Sequence, residues 1–298
     1  MFLKLGVALM KNIKVMDKRV LLPTDYSKNA LNAIRYAFEL YKDVRCDFYL
    51  LNAFHVSGYN LDSMRVPEIG EPLYEAAKKE AEDGMDRLME ILDLHPDNDK
   101  HALYTIVTFN SLTEAIRNVI EKKDIDIIIM GTKGVTDAKA RVFGTNTVSV
   151  MERIKECPVI AVPSDFSVEP PKEIAFPTDY RTHFKKREIE YLIEIAKLHG
   201  AKINVLHIDR DKDGKLSRVE EENKKLLMDI LEGTDYETHF LSSVKVSKGI
   251  HLFVESKHCD MIVFMNRKHL FFGSILSNPL VKEMGYDPEV PILELNDN

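Results

Sequence analysis

At 298 residues, 45% of them hydrophobic and 30% charged, the chain has room for two cores of ordinary size and the composition of a globular protein. A net charge of -7, with no Lys/Arg-rich face longer than a few residues, argues against nucleic acid as a partner, because the overall field repels a polyanion. Cys46, Cys157 and Cys259 lie far apart and form no CxxC pair, so neither a disulfide framework nor a zinc site is signalled, and a reducing, cytoplasmic setting is expected.

Residues 1–16 read as an N-terminal extension. The apolar run Met1–Met10 is interrupted by Lys4, lacks a small-residue cleavage site and is too short to span a bilayer, so no membrane association is expected. Arg19-Val20-Leu21-Leu22 then reads as a short buried strand ending in the turn Pro23-Thr24-Asp25-Tyr26. A helix follows, with Ser27 at its N-cap and Ala30, Ala33, Ile34, Ala37, Phe38 and Tyr41 on one apolar face. Next come a strand over Phe48–Ala53, a helix with Ala77, Ala81, Met85, Leu88 and Leu92 in one stripe, a strand near Tyr104–Thr108 and a helix near Ser111–Lys122. The very apolar strand Ile127–Met130, a helix opening at Gly144-Thr145 and a last strand, Val159–Val162, complete the series.

The same order then begins again. Pro177-Thr178-Asp179-Tyr180 repeats the first turn after the strand Glu173–Phe176, and strands over Ile203–Ile208, Tyr236–Leu241, Met261–Phe264 and Ile292–Leu295 follow, with helices near Val219–Leu231 and Lys248–His258. The join lies in the proline-rich run Pro163–Pro171. The expected organisation is a domain over 17–165, a linker over 166–171 and a second domain over 172–298. Strands alternating with helices at this spacing imply an α/β fold, with a parallel, doubly wound sheet in each half and helices on both faces; two such sheets are favoured over a single ten-stranded one.

In an open parallel sheet, ligands bind at the carboxyl ends of the strands, where the winding direction reverses. One loop leaves such an end. Directly after Met130 comes Gly131-Thr132-Lys133-Gly134, then nine residues, then Gly144-Thr145-Asn146-Thr147 opening a helix. Glycines suit close approach of backbone to phosphate or a positive φ, and the helix start supplies N–H groups and hydroxyls. Lys133, Lys139 and Arg141 against one acid, Asp137, make this stretch locally basic in an acidic protein. Asp25 also suits a turn or cap role, since Asp-Tyr-Ser precedes a helix.

The pattern Gly131-x2-Gly134-x9-Gly144-Thr145 resembles the ATP-binding signature of the universal stress protein family, and the likeness extends over nearly the whole chain from Lys18. It includes the Pro-x-Asp turn of both halves, Leu206-His207-Ile208 at the end of a second strand, and the closing strand that begins at Pro158. The resemblance implies Rossmann-like five-stranded sheets of order 3-2-1-4-5 and a site for ATP, with Mg2+ as an accompanying ion left open. The implied nucleotide-binding residues are Pro23, Thr24, Asp25, Ala53, Met130, Gly131, Thr132, Lys133, Gly134, Arg141, Gly144, Thr145, Asn146 and Thr147. Asp25 would face the adenosine, Ala53 would line the base pocket, and the glycine loop would cradle the phosphates. Asn52 stands where the family usually has histidine, and Asn146 where it usually has a hydrophobic residue; neither change removes a backbone donor.

The second half departs further. Aligning Asp260 with Asp126 puts Met265 at Gly131 and Lys268 at Gly134, while the loop to Gly273-Ser274 is shorter and carries Phe271-Phe272 where polar atoms would be wanted. Only the first half is therefore expected to bind ATP. No Gly-x-Ser-x-Gly elbow, no cysteine with a recognisable histidine partner and no Gly-x4-Gly-Lys-[Ser/Thr] loop is present, and His251, His258 and Cys259 suit packing or surface better than a metal. The expected role is a regulatory, stress-response protein in which bound ATP orders Val135–Phe143 and modulates protein contacts. A slow ATPase or self-phosphorylating enzyme, and a nucleotide-independent scaffold, are the alternatives. Intramolecular pairing of the halves through their last strands is expected, with homodimerisation of the fused chain left open.

Overall fold

The computed structural model describes residues 17–56, 69–132, 144–209, 215–242, 245–266 and 289–296. The first half contains β1 (Lys18–Pro23), α1 (Lys28–Leu40), β2 (Cys46–Phe54), α2 (Pro72–Leu92), β3 (His101–Phe109), α3 (Leu112–Lys123), β4 (Ile127–Gly131), α4 (Thr145–Arg153) and β5 (Val159–Val162). The second contains β6 (Glu173–Thr178), α5 (Glu190–His199), β7 (Lys202–Asp209), α6 (Arg218–Leu231), β8 (Tyr236–Ser242), α7 (Val246–Lys257), β9 (Met261–Asn266) and β10 (Ile292–Asn296). The extension 1–16 and the helix expected before β10 lie outside the described residues.

Strands that are covered on both faces must be apolar on both, and every residue of β4 and β5 is buried. Successive side chains of β1 serve opposite sides. Val20 and Leu22 join the core under α1, α2, α5 and α6, while Leu21 joins the one under α3, α4 and α7. Helix starts follow the expected chemistry where a hydroxyl is available: the Ala30 amide donates to Ser27 Oγ at 3.1 Å, and Ser217 and Glu220 cap α6 reciprocally.

Each half has the expected order, β3-β2-β1-β4-β5 and β8-β7-β6-β9-β10, with parallel pairing throughout. Where two separate sheets are favoured from sequence, the structure joins them. β5 and β10 lie antiparallel, with Ile292 opposite Ala161 and Glu294 opposite Val159, giving one ten-stranded sheet edged by β3 and β8. The reason is that both inner edge strands are apolar and short, so each satisfies the other's backbone groups.

Side chains reinforce this seam. Lys18 Nζ, almost fully buried, meets Glu194 of α5 at 2.7 Å, and His199 Nε2 donates to the Leu40 carbonyl at 2.9 Å. Asn32 of α1 donates to the carbonyls of Pro163 and Phe166, whose ring packs edge-on to Tyr36 at 5.9 Å.

The helix after β6 differs from its counterpart after β1. α1 begins four residues past Thr24, whereas the chain after Thr178 passes through an irregular stretch and a 3-10 turn (Lys186–Glu188) before α5.

Candidate functional site

The β1–α1 turn is shaped by short side chains. Tyr26 has a φ of 64°, and its amide donates to Thr24 Oγ1 at 3.0 Å, while Asp25 Oδ1 accepts from the Ser27 amide at 3.1 Å. Asp25 thus performs the turn role its neighbours suggest and also lines the cavity described next. Tyr26 is pulled away from the strand end, its hydroxyl donating to the Ala81 carbonyl at 2.6 Å. Gly84 of α2 makes room for it: a Cβ there would come within 2.5 Å of the ring.

A cavity of about 450 Å³ opens at the carboxyl ends of β1, β2 and β4. This is the switch point of a doubly wound sheet, and the size suits a small molecule. Ten of the residues expected from sequence line it: Pro23, Thr24, Asp25, Ala53, Met130, Gly131, Gly144, Thr145, Asn146 and Thr147. Lys133, Gly134 and Arg141 lie outside the described residues, as do Lys139, Asp137 and the rest of the Val135–Phe143 stretch. Thr132 is buried behind the wall. Its amide donates to the Val162 carbonyl at 2.9 Å and its own carbonyl accepts from the Gly144 amide at 2.6 Å, so it ties the two ends of the glycine loop to β5.

One reason given above for the glycines, a positive φ, needs correcting. Neither Gly131 nor Gly144 has a positive φ. Gly131 ends β4 in the ladder, opposite Val162, and a Cβ on it would lie 2.7 Å from the Asn29 side chain. Close packing against α1 therefore explains this glycine directly. Gly144 is the N-cap of α4 in extended conformation and supplies no side chain, so among the described residues no N-cap side chain closes that helix start. The free N-terminal amides carry partial positive charge beside the cavity. Thr147 is fixed just inside, its hydroxyl donating to the Gly131 carbonyl at 2.8 Å.

Sequence reasoning missed one wall. Ser111, Leu112 and Thr113, at the start of α3, line the cavity together with Ala30, His55, Ser149 and Asn52. The signal was Ser111 followed by Glu114, a helix start placed directly after a strand; its amide bond to Ser111 Oγ is long, at 3.4 Å. Asn52 Nδ2 donates to the Thr24 carbonyl at 2.8 Å, and in the second half His207 Nδ1 meets the Thr178 carbonyl at 3.0 Å. The amide and the imidazole thus serve one structural purpose, which is why asparagine can replace the histidine.

In the second half the corresponding sequence positions carry larger side chains. Asp126 and Asp260 are structural equivalents, each accepting from the first strand's backbone, which confirms the alignment of Met265 with Gly131. Met265 is buried in the core that contains Phe176, Tyr180 and Phe184. By the register of the repeated tetrapeptide, Phe184 stands where Ala30 lines the first cavity, and it packs on Phe176 at 6.3 Å. Lys268, Phe271, Phe272, Gly273 and Ser274 lie outside the described residues.

The profile of the universal stress protein family matches residues 16–163. The chain belongs to the universal stress protein family. A universal stress protein of Methanocaldococcus jannaschii is 29% identical over 168 residues, covering 52% of this chain and 87% of that one. The crystal structure of a universal stress protein from Archaeoglobus fulgidus superposes with a TM-score of 0.69 at 17% identity, covering 96% of this chain and 99% of that one. A Pseudomonas aeruginosa protein of unknown function follows, at TM-score 0.58 and 13% identity, covering 95% and 93%. These likenesses extend the shared fold across both halves of this universal stress protein. Among its described residues no helix is long and apolar enough to cross a membrane, and no group of three or more His, Cys, Asp or Glu could hold a metal ion.

Proposed function

We propose that the first half is an ATP-binding domain (17–165), that the second (172–298) has filled its equivalent site, and that nucleotide occupancy modulates protein interactions. The observation that carries this reading is the convergence of the turn Pro23–Asp25, the β2 end at Ala53 and the glycine-framed start of α4 on one cavity. The uncapped α4 terminus suits phosphate, as backbone N–H groups and the helix dipole both favour an anion there. Lys133, Gly134 and Arg141 complete the proposed set on sequence grounds. A Mg2+ ion would take most of its ligands from phosphate and water, since Asp25 is the single carboxylate residue on the described wall. The antiparallel β5–β10 edge is proposed to hold the two halves as one body in solution.

Titration calorimetry tests the site. We expect one ATP per chain, and no binding by Gly144→Glu, whose carboxylate would oppose the phosphates. Two nucleotides per chain would refute the filled second site, and absence of binding by the unaltered protein would refute the function.

A further inference from the structure

We infer that Asn52 Oδ1 is the acceptor that reads the exocyclic amine of a purine, so that the cavity selects adenine over a 6-oxo base. This rests on the nucleotide-binding proposal and adds the group that sets its specificity.

The orientation of the Asn52 amide follows from its partner. The atom 2.8 Å from the Thr24 carbonyl must be the NH2, because a carbonyl only accepts. Oδ1 is thereby turned away from β1. Asn52 is only 8% exposed, and what remains open faces the cavity that it lines. No donor among the described residues meets Oδ1. Oδ1 is not one of the buried atoms left without a partner, so it is an acceptor of fixed orientation at the cavity wall, available to a ligand that brings an N–H or O–H to it.

The second half shows what the amide adds. His207 makes the same bond to the first strand, so that bond does not itself require asparagine. The imidazole, however, fills the space above the strand end, with ring centroids 5.0 Å from Tyr180 and 5.7 Å from Phe240. Asn52 makes the bond with a shorter side chain and leaves a fixed acceptor beside open volume.

Strand order decides which part of a nucleotide arrives there. α4 links β4 to β5, and β2 is separated from β4 by β1, a distance of roughly 10 Å at ~5 Å per strand. A nucleotide with its phosphates at the α4 terminus passes its sugar over β1, near Asp25, and brings its base to β2. The base donor is then the amine at C6.

The test compares ATP, ITP and 2′-deoxy-ATP by calorimetry with the unaltered protein and with Asn52→Leu, whose folding is checked by thermal melting. ITP replaces the amine by a carbonyl and changes nothing in the sugar or phosphates. The unaltered protein should bind ATP about tenfold or more tightly than ITP, and 2′-deoxy-ATP within about threefold of ATP. Asn52→Leu should weaken ATP about tenfold and bring the ATP-to-ITP ratio close to one. Equal binding of ATP and ITP by the unaltered protein overturns the inference while leaving nucleotide binding intact, and this result needs no variant. A loss confined to 2′-deoxy-ATP also overturns it, assigning Oδ1 to the ribose. Failure of every nucleotide to bind removes the functional proposal and this inference together.

Discussion

Replacing Glu294 by glutamine should make the protein more resistant to unfolding above neutral pH and leave it nearly unchanged in mild acid. Glu294 lies in β10, paired with Val159 across the seam and with Phe264 beside it, and its side chain is 1% exposed. Burial raises its carboxyl pKa from 4.5 to about 8, against the attraction of Lys155 Nζ at 3.4 Å and with a smaller push from Glu152. The folded protein therefore holds a proton that the unfolded chain releases. Stability from this group is present below pH 4.5 and is lost as pH rises to about 8. At 1.36 kcal/mol per decade the full displacement has a ceiling of about 5 kcal/mol, and relaxation around the carboxylate reduces this to about 2 kcal/mol in practice. Urea unfolding of both proteins at intervals from about pH 5 to about pH 9 isolates the effect, because all other titrations cancel in the difference. The two curves should converge in acid and diverge through neutrality, Glu294→Gln becoming the more stable. Parallel curves would show that Glu294 is already ionised at the seam and that the burial argument is wrong.

Gly84→Ala sets helix propensity against packing. An exposed helix glycine would gain about 1 kcal/mol from the change, but here the new Cβ meets the Tyr26 ring at 2.5 Å, so thermal melting should show a net loss of about 1 kcal/mol. The sign should reverse in a Tyr26→Ala background, and a gain in the unaltered background would discredit the contact. Small-angle scattering should fit one compact particle with β5 and β10 paired, whereas a profile requiring two independently tumbling lobes would contradict the continuous sheet in solution.

What could be read from sequence follows the strength of each physical signal. The strands of both halves were legible because sheets covered on both faces demand continuous apolar runs, as in Ile127–Met130, and because Pro-Thr-Asp-Tyr marks the same turn twice. The apolar stripe of α1 was equally plain, yet Tyr36 was not assigned to it. Tyr36 is buried by Phe166 of the linker, a contact made across 130 positions that no local period encodes. Pairing of the halves through their last strands was expected, but not that it would run on as one continuous sheet, since an apolar strand does not show by its composition whether it meets its partner edge to edge. At the site, residues brought by loops with distinctive composition were found, whereas Ser111–Thr113 were not, because an ordinary helix start carries no mark of the cavity it faces.

The two halves share strand order, turn geometry and the bond between the first and second strand ends. What differs is side-chain volume at a few places around the strand ends. Ala30 and Gly131 border open space in one half, while Phe184 and Met265 occupy the matching sequence positions in the other and are both buried. Phe184 packs on Phe176, and the chain after β6 takes an irregular course with α5 starting late. On the proposed reading, the filled second cleft adds apolar burial to the half that shares the sheet. On that reading one copy of the duplicated fold binds the nucleotide while the other supports the shared sheet, with the same strand order in both.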